Sequence, residues 1–87
     1  MHNTTEGSDK IWGIFINRDM NLILTFWGRR TATRFQTKPY TWDDRFEVHR
    51  LKESKVQKGY IEVPVNKFGD LFVENLEIAL MEGLMKA

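Results

Sequence analysis

Two apolar runs separated by turn residues limit the folds open to this chain most sharply. Lys10 to Asn17 reads KIWGIFIN, which places Ile11, Gly13 and Phe15 on one face of an extended strand and Trp12, Ile14 and Ile16 on the other. Both faces are apolar, so the strand sits inside a sheet or is covered on both sides. Leu22 to Gly28 alternates in the same way, with Leu22, Leu24 and Phe26 opposed to Ile23, Thr25 and Trp27. Asn17-Arg18-Asp19 between the runs is turn chemistry, so a hairpin follows.

The rest of the chain extends this hairpin. Thr31 to Lys38 predicts a third strand, with Thr31, Thr33, Phe35 and Thr37 inward and Ala32, Arg34, Gln36 and Lys38 toward solvent. Lys38-Pro39-Tyr40 ends it, since proline donates nothing to a ladder. Thr41 then caps a helix from Trp42 to Lys58, with Asp43 and Asp44 in the first turn and Gly59 as the stop. The apolar positions of that helix, Trp42, Phe46, Val48, Leu51 and Val56, make a patchy stripe. Tyr60 to Val65 predicts a further strand, at an edge or ending at Pro64. Asn66 caps a second helix, Lys67 to Lys86. Its stripe of Phe68, Leu71, Phe72, Leu76, Ala79, Leu80 and Leu84 is widened by Val73, Ile78, Met81 and Met85 beyond what one sheet face needs.

The expected fold is α+β: a twisted, mainly antiparallel sheet of about four strands with one helix packed on it and an additional C-terminal helix. That last helix either covers the sheet or makes a dimer contact. Residues 1–9 are polar and read as a mobile leader, residues 10–65 as the domain proper, and residues 66–87 as the appended helix. With 87 residues the chain buries only about 60–65% of its unfolded surface, so large rings must supply much of the core.

Composition narrows the function. There is no cysteine, which excludes disulfides and cysteine zinc sites and suits a reducing compartment, the cytoplasm. No apolar run is long enough to cross a bilayer, and no secretory pattern is visible. Net charge is only +1, yet nine of the 13 Lys and Arg residues lie between Arg29 and Lys58, against four of the 12 Asp and Glu. A basic middle and an acidic tail suit an anionic partner on one side of the domain.

The candidate site lies where the second strand ends. Trp27, Gly28, Arg29, Arg30, Arg34 and Lys38 put a flat ring, a permissive glycine and four cations within twelve positions. That set suits a ring stacking on a sugar or base while cations hold phosphates. Two readings of Trp27 stand: a sheet tryptophan covered by a helix, or an open platform for a nucleotide. Likewise Arg30 and Arg34 belong either to a solvated hairpin tip or to a phosphate site. Arg45, Arg50, Lys52, Lys55 and Lys58 read as a charged helix face.

The residues Trp27-Gly28-Arg29, followed by a charged helix and Lys55-Val56-Gln57-Lys58-Gly59-Tyr60, resemble the WGR domain of poly(ADP-ribose) polymerases and many bacterial proteins. The likeness covers roughly Lys10 to Val65. The family follows its tripeptide with a small apolar residue and a Gly-x-x-Gly-Gln turn; this chain has Arg30-Thr31-Ala32-Thr33-Arg34 instead. The resemblance implies that Trp27 packs on a sugar at a DNA break and that Arg29 helps link a DNA end to neighbouring domains.

Catalysis and metal binding find no support in the sequence. His49 has no other histidine near it in sequence, the second being His2, so no metal site is expected. Asp43 and Asp44 point apart on a helix. Ser8 and Ser54 have no nearby base, and no glycine loop cradles phosphate. The expectation is a non-catalytic nucleic-acid-binding domain for DNA, ends or breaks included, without a cofactor. The alternative is a homodimer or protein-interaction module using Leu76, Leu80, Met81 and Leu84.

Overall fold

The computed structural model describes residues 1–3, 9–31 and 33–86. Four strands form one antiparallel meander in chain order: β1 (His2–Asn3), β2 (Lys10–Asn17), β3 (Leu22–Arg29) and β4 (Gln36–Thr41). Two helices follow, α1 (Arg45–Gln57) and α2 (Asp70–Lys86). The architecture is therefore α+β, as the alternating runs and the two helical stripes imply.

The hairpin of β2 and β3 runs in full register from Lys10 opposite Arg29 to Asn17 opposite Leu22. Its turn is closed by Asn21, which takes the left-handed conformation at φ 53° that asparagine tolerates. β3 is the central strand, and Leu22 through Phe26 are all buried.

The sheet has two distinct faces. On one, Ile11, Phe26 and Phe35 pack against Phe72, Leu76 and Ala79 of α2, with Phe68 and Leu80 at the margin. Phe35 and Phe72 meet edge to face, with centroids 5.2 Å apart. Two glycines allow the layers to close. A Cβ on Gly13 would lie 2.2 Å from the tip of the Phe26 ring, and one on Gly83 would lie 2.7 Å from a Leu24 methyl. On the other face, Trp12 and Ile23 are buried with Val48 of α1. α1 presents Val48, Leu51 and Lys55 to the sheet, spaced at i, i+3 and i+7 on one helical face.

Several elements differ from expectation for physical reasons. His2–Asn3, expected in a leader without a role in the fold, pairs with Ile11 and Lys10. The pairing is carried by backbone: the Trp12 amide donates to the Met1 carbonyl, and His2 and Ile61 exchange amide–carbonyl bonds, each at 2.9 Å. Thr4 to Ser8 of that leader lie outside the described residues. Tyr60 to Val65 does not form a strand; only Ile61 makes a bridge, to His2.

The fourth strand also starts later than Thr31 and continues through Pro39 to Thr41; Ala32 of the expected strand lies outside the described residues. The ladder explains this. Antiparallel pairs alternate between bonded and non-bonded, and the bond from the Trp12 amide to Met1 fixes the phase. Trp27–Gln36, Thr25–Lys38 and Ile23–Tyr40 are then the bonded pairs, and the nitrogen of Pro39 faces outward, where no strand lies among the described residues. Proline costs an edge strand nothing in that phase.

Helix boundaries shift by a turn. Trp42–Asp44 is a 3-10 turn leading into α1, and Thr41 and Asp44 form a reciprocal capping box. Gly59, at φ 99°, stops α1 as expected. The second helix starts at Asp70, because Val65–Phe68 is a separate 3-10 turn and Gly69 breaks the path at φ 93°. α2 covers the sheet, so Leu76 is buried in the protein's own core and Leu80 packs against it.

Candidate functional site

On the face that carries α1, alternation along the strands brings together Lys10 and Trp12 of β2, Thr25, Trp27 and Arg29 of β3, and Lys38 and Tyr40 of β4. The side chain of Lys55 from α1 and Tyr60 just beyond it complete the walls. The result is a groove of about 430 Å³ open at the Arg29 end of the sheet. Trp12 and Trp27 sit opposite each other across β2 and β3. Trp12 is buried, whereas Trp27 is half-buried and forms groove wall.

Charge is the distinguishing property of this groove. Four cations line it, Lys10, Arg29, Lys38 and Lys55, and no Asp or Glu does. Among the described residues, the ion pairs within 4.0 Å use His2, Arg30, Arg34, His49 and Lys52, and none of the four groove cations. Two of the cations instead lie over rings: the Lys38 ammonium is 5.1 Å from the Tyr40 centroid and that of Lys55 is 5.6 Å from Tyr60. Burial lowers the Lys55 pKa, and the neighbouring charges of Lys58 and Lys10 lower it further. Burial also raises the Tyr60 hydroxyl. An anion bound beside Lys55 would favour its charged form.

The residues singled out from sequence divide in two. Trp27, Gly28, Arg29 and Lys38 line the groove together. Arg30 and Arg34 do not. The Arg30 Nε lies 3.0 Å from Asp9, and Arg34 reaches Glu82 of α2 at 3.7 Å. Both are exposed pairs of small energetic value, yet they direct the guanidinium groups away from the groove. Asp9 is in turn held below its ordinary pKa by the hydrogen bond from His2 and by Arg30.

Sequence proximity missed Lys10, Lys55, Tyr40 and Tyr60. The signals were present. Lys10 shares a strand face with Trp12, Tyr40 shares one with Lys38, and Lys55 follows Val48 and Leu51 along the inward side of α1. His49 pairs with Glu53 at 3.0 Å on the exposed side of α1, and Asp44 is occupied in capping Thr41. Among the described residues, no group of three His, Cys, Asp or Glu could hold a metal ion.

A larger depression of about 560 Å³ lies at the other edge, lined by Met1, Trp12, Gly13, Glu62 and Pro64 among others. Its side-chain charges cancel, because Lys52 and Glu62 pair at 2.7 Å. The charge that remains is the Met1 ammonium, which donates to the Trp12 carbonyl.

Comparison with known proteins found no matching family model, no curated relative and no solved structure resembling the chain.

Proposed function

We propose that the chain is a small non-catalytic nucleic-acid-binding domain, acting on DNA in the cytoplasm. Lys10, Arg29, Lys38 and Lys55 hold phosphates, and Trp27 stacks on a sugar or base. The observation that carries this reading is a groove with four cations, a half-buried indole in its wall and no carboxylate. A solvated charged face would intersperse both signs; this one does not. The resemblance to the WGR domain supports the same reading, since Trp27-Gly28-Arg29 and the Lys55 to Tyr60 segment, far apart in sequence, contribute to one groove. The absence of cysteine agrees with a reducing compartment, and no helix among the described residues is long and apolar enough to cross a membrane.

The test is a fluorescence titration of Trp27 with a short nicked duplex and with single strands at low salt. Quenching that Trp27→Phe removes supports the reading; no binding of any nucleic acid at low salt rejects it.

A second reading is favoured by one observation. The outer side of α2 exposes Leu71 at 71%, Ile78 at 54%, Met81 at 64% and Met85 at 85%. A homodimer or protein contact would use this side, with Met81 at its centre, because Leu76 and Leu80 are already spent on the sheet. Sedimentation as a monomer at high concentration would count against the homodimer.

A further inference from the structure

The groove continues as a track along β4. Gln36, Lys38 and Tyr40 share the groove face, and Trp42 is the next residue in that alternation. Trp42 prolongs the ladder, since its amide donates to the Asn21 carbonyl at 3.3 Å. Here a second group of rings and cations gathers. The guanidinium carbons of Arg18 and Arg45 lie 5.0 and 5.5 Å from the Trp42 centroid, and Arg45 also lies 4.8 Å from the exposed Phe46 ring. Neither arginine has a carboxylate partner among the described residues, and the nearby Asp44 carboxylate accepts from Thr41 instead. Rings and cations thus gather on one side of the sheet: Trp27 on β3, then Lys38, Tyr40, Trp42 and its two arginines along β4.

The spacing selects the form of nucleic acid. From Gln36, opposite Trp27, to Trp42 is six residues, or about 20 Å at about 3.3 Å per residue. A duplex stacks its bases on one another at about 3.4 Å per strand and bares a base face only at its ends. One duplex end can meet one ring, not three set along such a distance. A single strand presents every base face, and its bases stack equally on aromatic rings and on guanidinium planes. A peptide strand adding to the same edge would meet outward amides at Thr37 and Thr41 but none at Pro39 between them, which interrupts a continuous ladder.

Resting on the nucleic-acid reading above, we infer that the ligand is single-stranded and runs along β4 from Trp27 to Trp42, occupying about four nucleotides. Its phosphates meet Arg18 and Arg45 as well as the four groove cations.

The experiment is fluorescence anisotropy of the full chain with labelled oligothymidylates of about two, four and eight nucleotides, with oligouridylate of about eight, and with a blunt duplex of about twelve base pairs at low salt. Affinity rises about tenfold or more from two to four nucleotides and changes little per site beyond that. The single strands bind more tightly than the duplex, and the ratio of the DNA and RNA arms identifies the preferred sugar. Arg18→Ala and Arg45→Ala, both at exposed positions, weaken the four-nucleotide ligand about fivefold and leave the two-nucleotide ligand unchanged. Duplex binding equal to or tighter than single-strand binding overturns this inference and leaves the nucleic-acid reading standing. No binding by any oligonucleotide overturns both.

Discussion

Gly13→Ala is the sharpest test of how the sheet and α2 close on each other. Gly13 lies opposite Phe26 in the β2–β3 ladder, and the Phe26 ring lies across it. A Cβ at Gly13 would stand 2.2, 2.7 and 2.8 Å from three ring carbons, where ordinary contact begins at 3.4 Å. The ring cannot simply turn aside, because Phe26 is only 5% exposed and belongs to the cluster with Ile11, Phe35, Phe72 and Leu76. Overpacking of this kind costs about 1–3 kcal/mol. Relief of the glycine's conformational entropy returns about 0.5–1 kcal/mol. An approach of 2.2 Å puts the cost in the upper part of that range, so the net loss is about 1–2.5 kcal/mol, which for a domain of this size lowers Tm by about 5–20 °C. Urea and thermal unfolding followed by circular dichroism measure it. Because the cause is a single pair, Gly13→Ala combined with Phe26→Leu should lose less than the sum of the two single variants, by about 1 kcal/mol. Unchanged or raised stability of Gly13→Ala, or strict additivity, would refute the packing described.

Other perturbations separate the groove from its surroundings. Arg29→Ala and Lys38→Ala should each weaken oligonucleotide binding and reduce the salt slope by about 0.7–0.9, whereas Arg30→Ala and Arg34→Ala leave both unchanged; anisotropy at several salt concentrations decides. Lys55→Met should weaken binding yet raise Tm at neutral pH. The folded-state pKa of Lys55 is lowered, so the unfolded chain holds that proton more firmly and Lys55's contribution to stability grows as pH rises through the window below its ordinary value of 10.5. The variant lacks that rise in a stability–pH profile. Asp9 follows the same sign in a more acidic window: its pKa is lowered, so its contribution is full above the ordinary value of 3.8 and fades as pH falls through the folded value. Asp9→Asn should flatten this acid limb. Leu76→Ala should cost about 2–5 kcal/mol in urea unfolding, while Met81→Ser on the outer side of the same helix costs almost nothing.

The hairpin and α2 were legible because alternation and helical period report burial directly. The alternation of Leu22 to Phe26 marked a strand of the hairpin, and Phe72, Leu76 and Ala79 had to face something apolar. Two features escaped for separate reasons. Pairing of His2 and Asn3 is a backbone matter and leaves no apolar pattern in polar side chains. Pro39 could sit within β4 only because the phase of the ladder turns its nitrogen outward, and that phase is set by Trp12 and Met1, far away in sequence. The candidate site was found in part. Trp27, Gly28, Arg29 and Lys38 were visible as a cluster in sequence, but Arg30 and Arg34 were grouped with them by proximity alone. Their acidic partners, Asp9 and Glu82, come from distant segments. Lys55 was counted within a charged helix face, although its spacing from Val48 and Leu51 already placed it on the side that meets the sheet.

The salt dependence of oligonucleotide binding tests the central claim most directly. Four groove cations predict that log Kd rises with log salt at a slope of about 3.6 on a duplex, and on a single strand that also engages Arg18 and Arg45 at about 4.2. Binding that is absent at low salt, or that ignores salt altogether, would contradict a phosphate-holding groove.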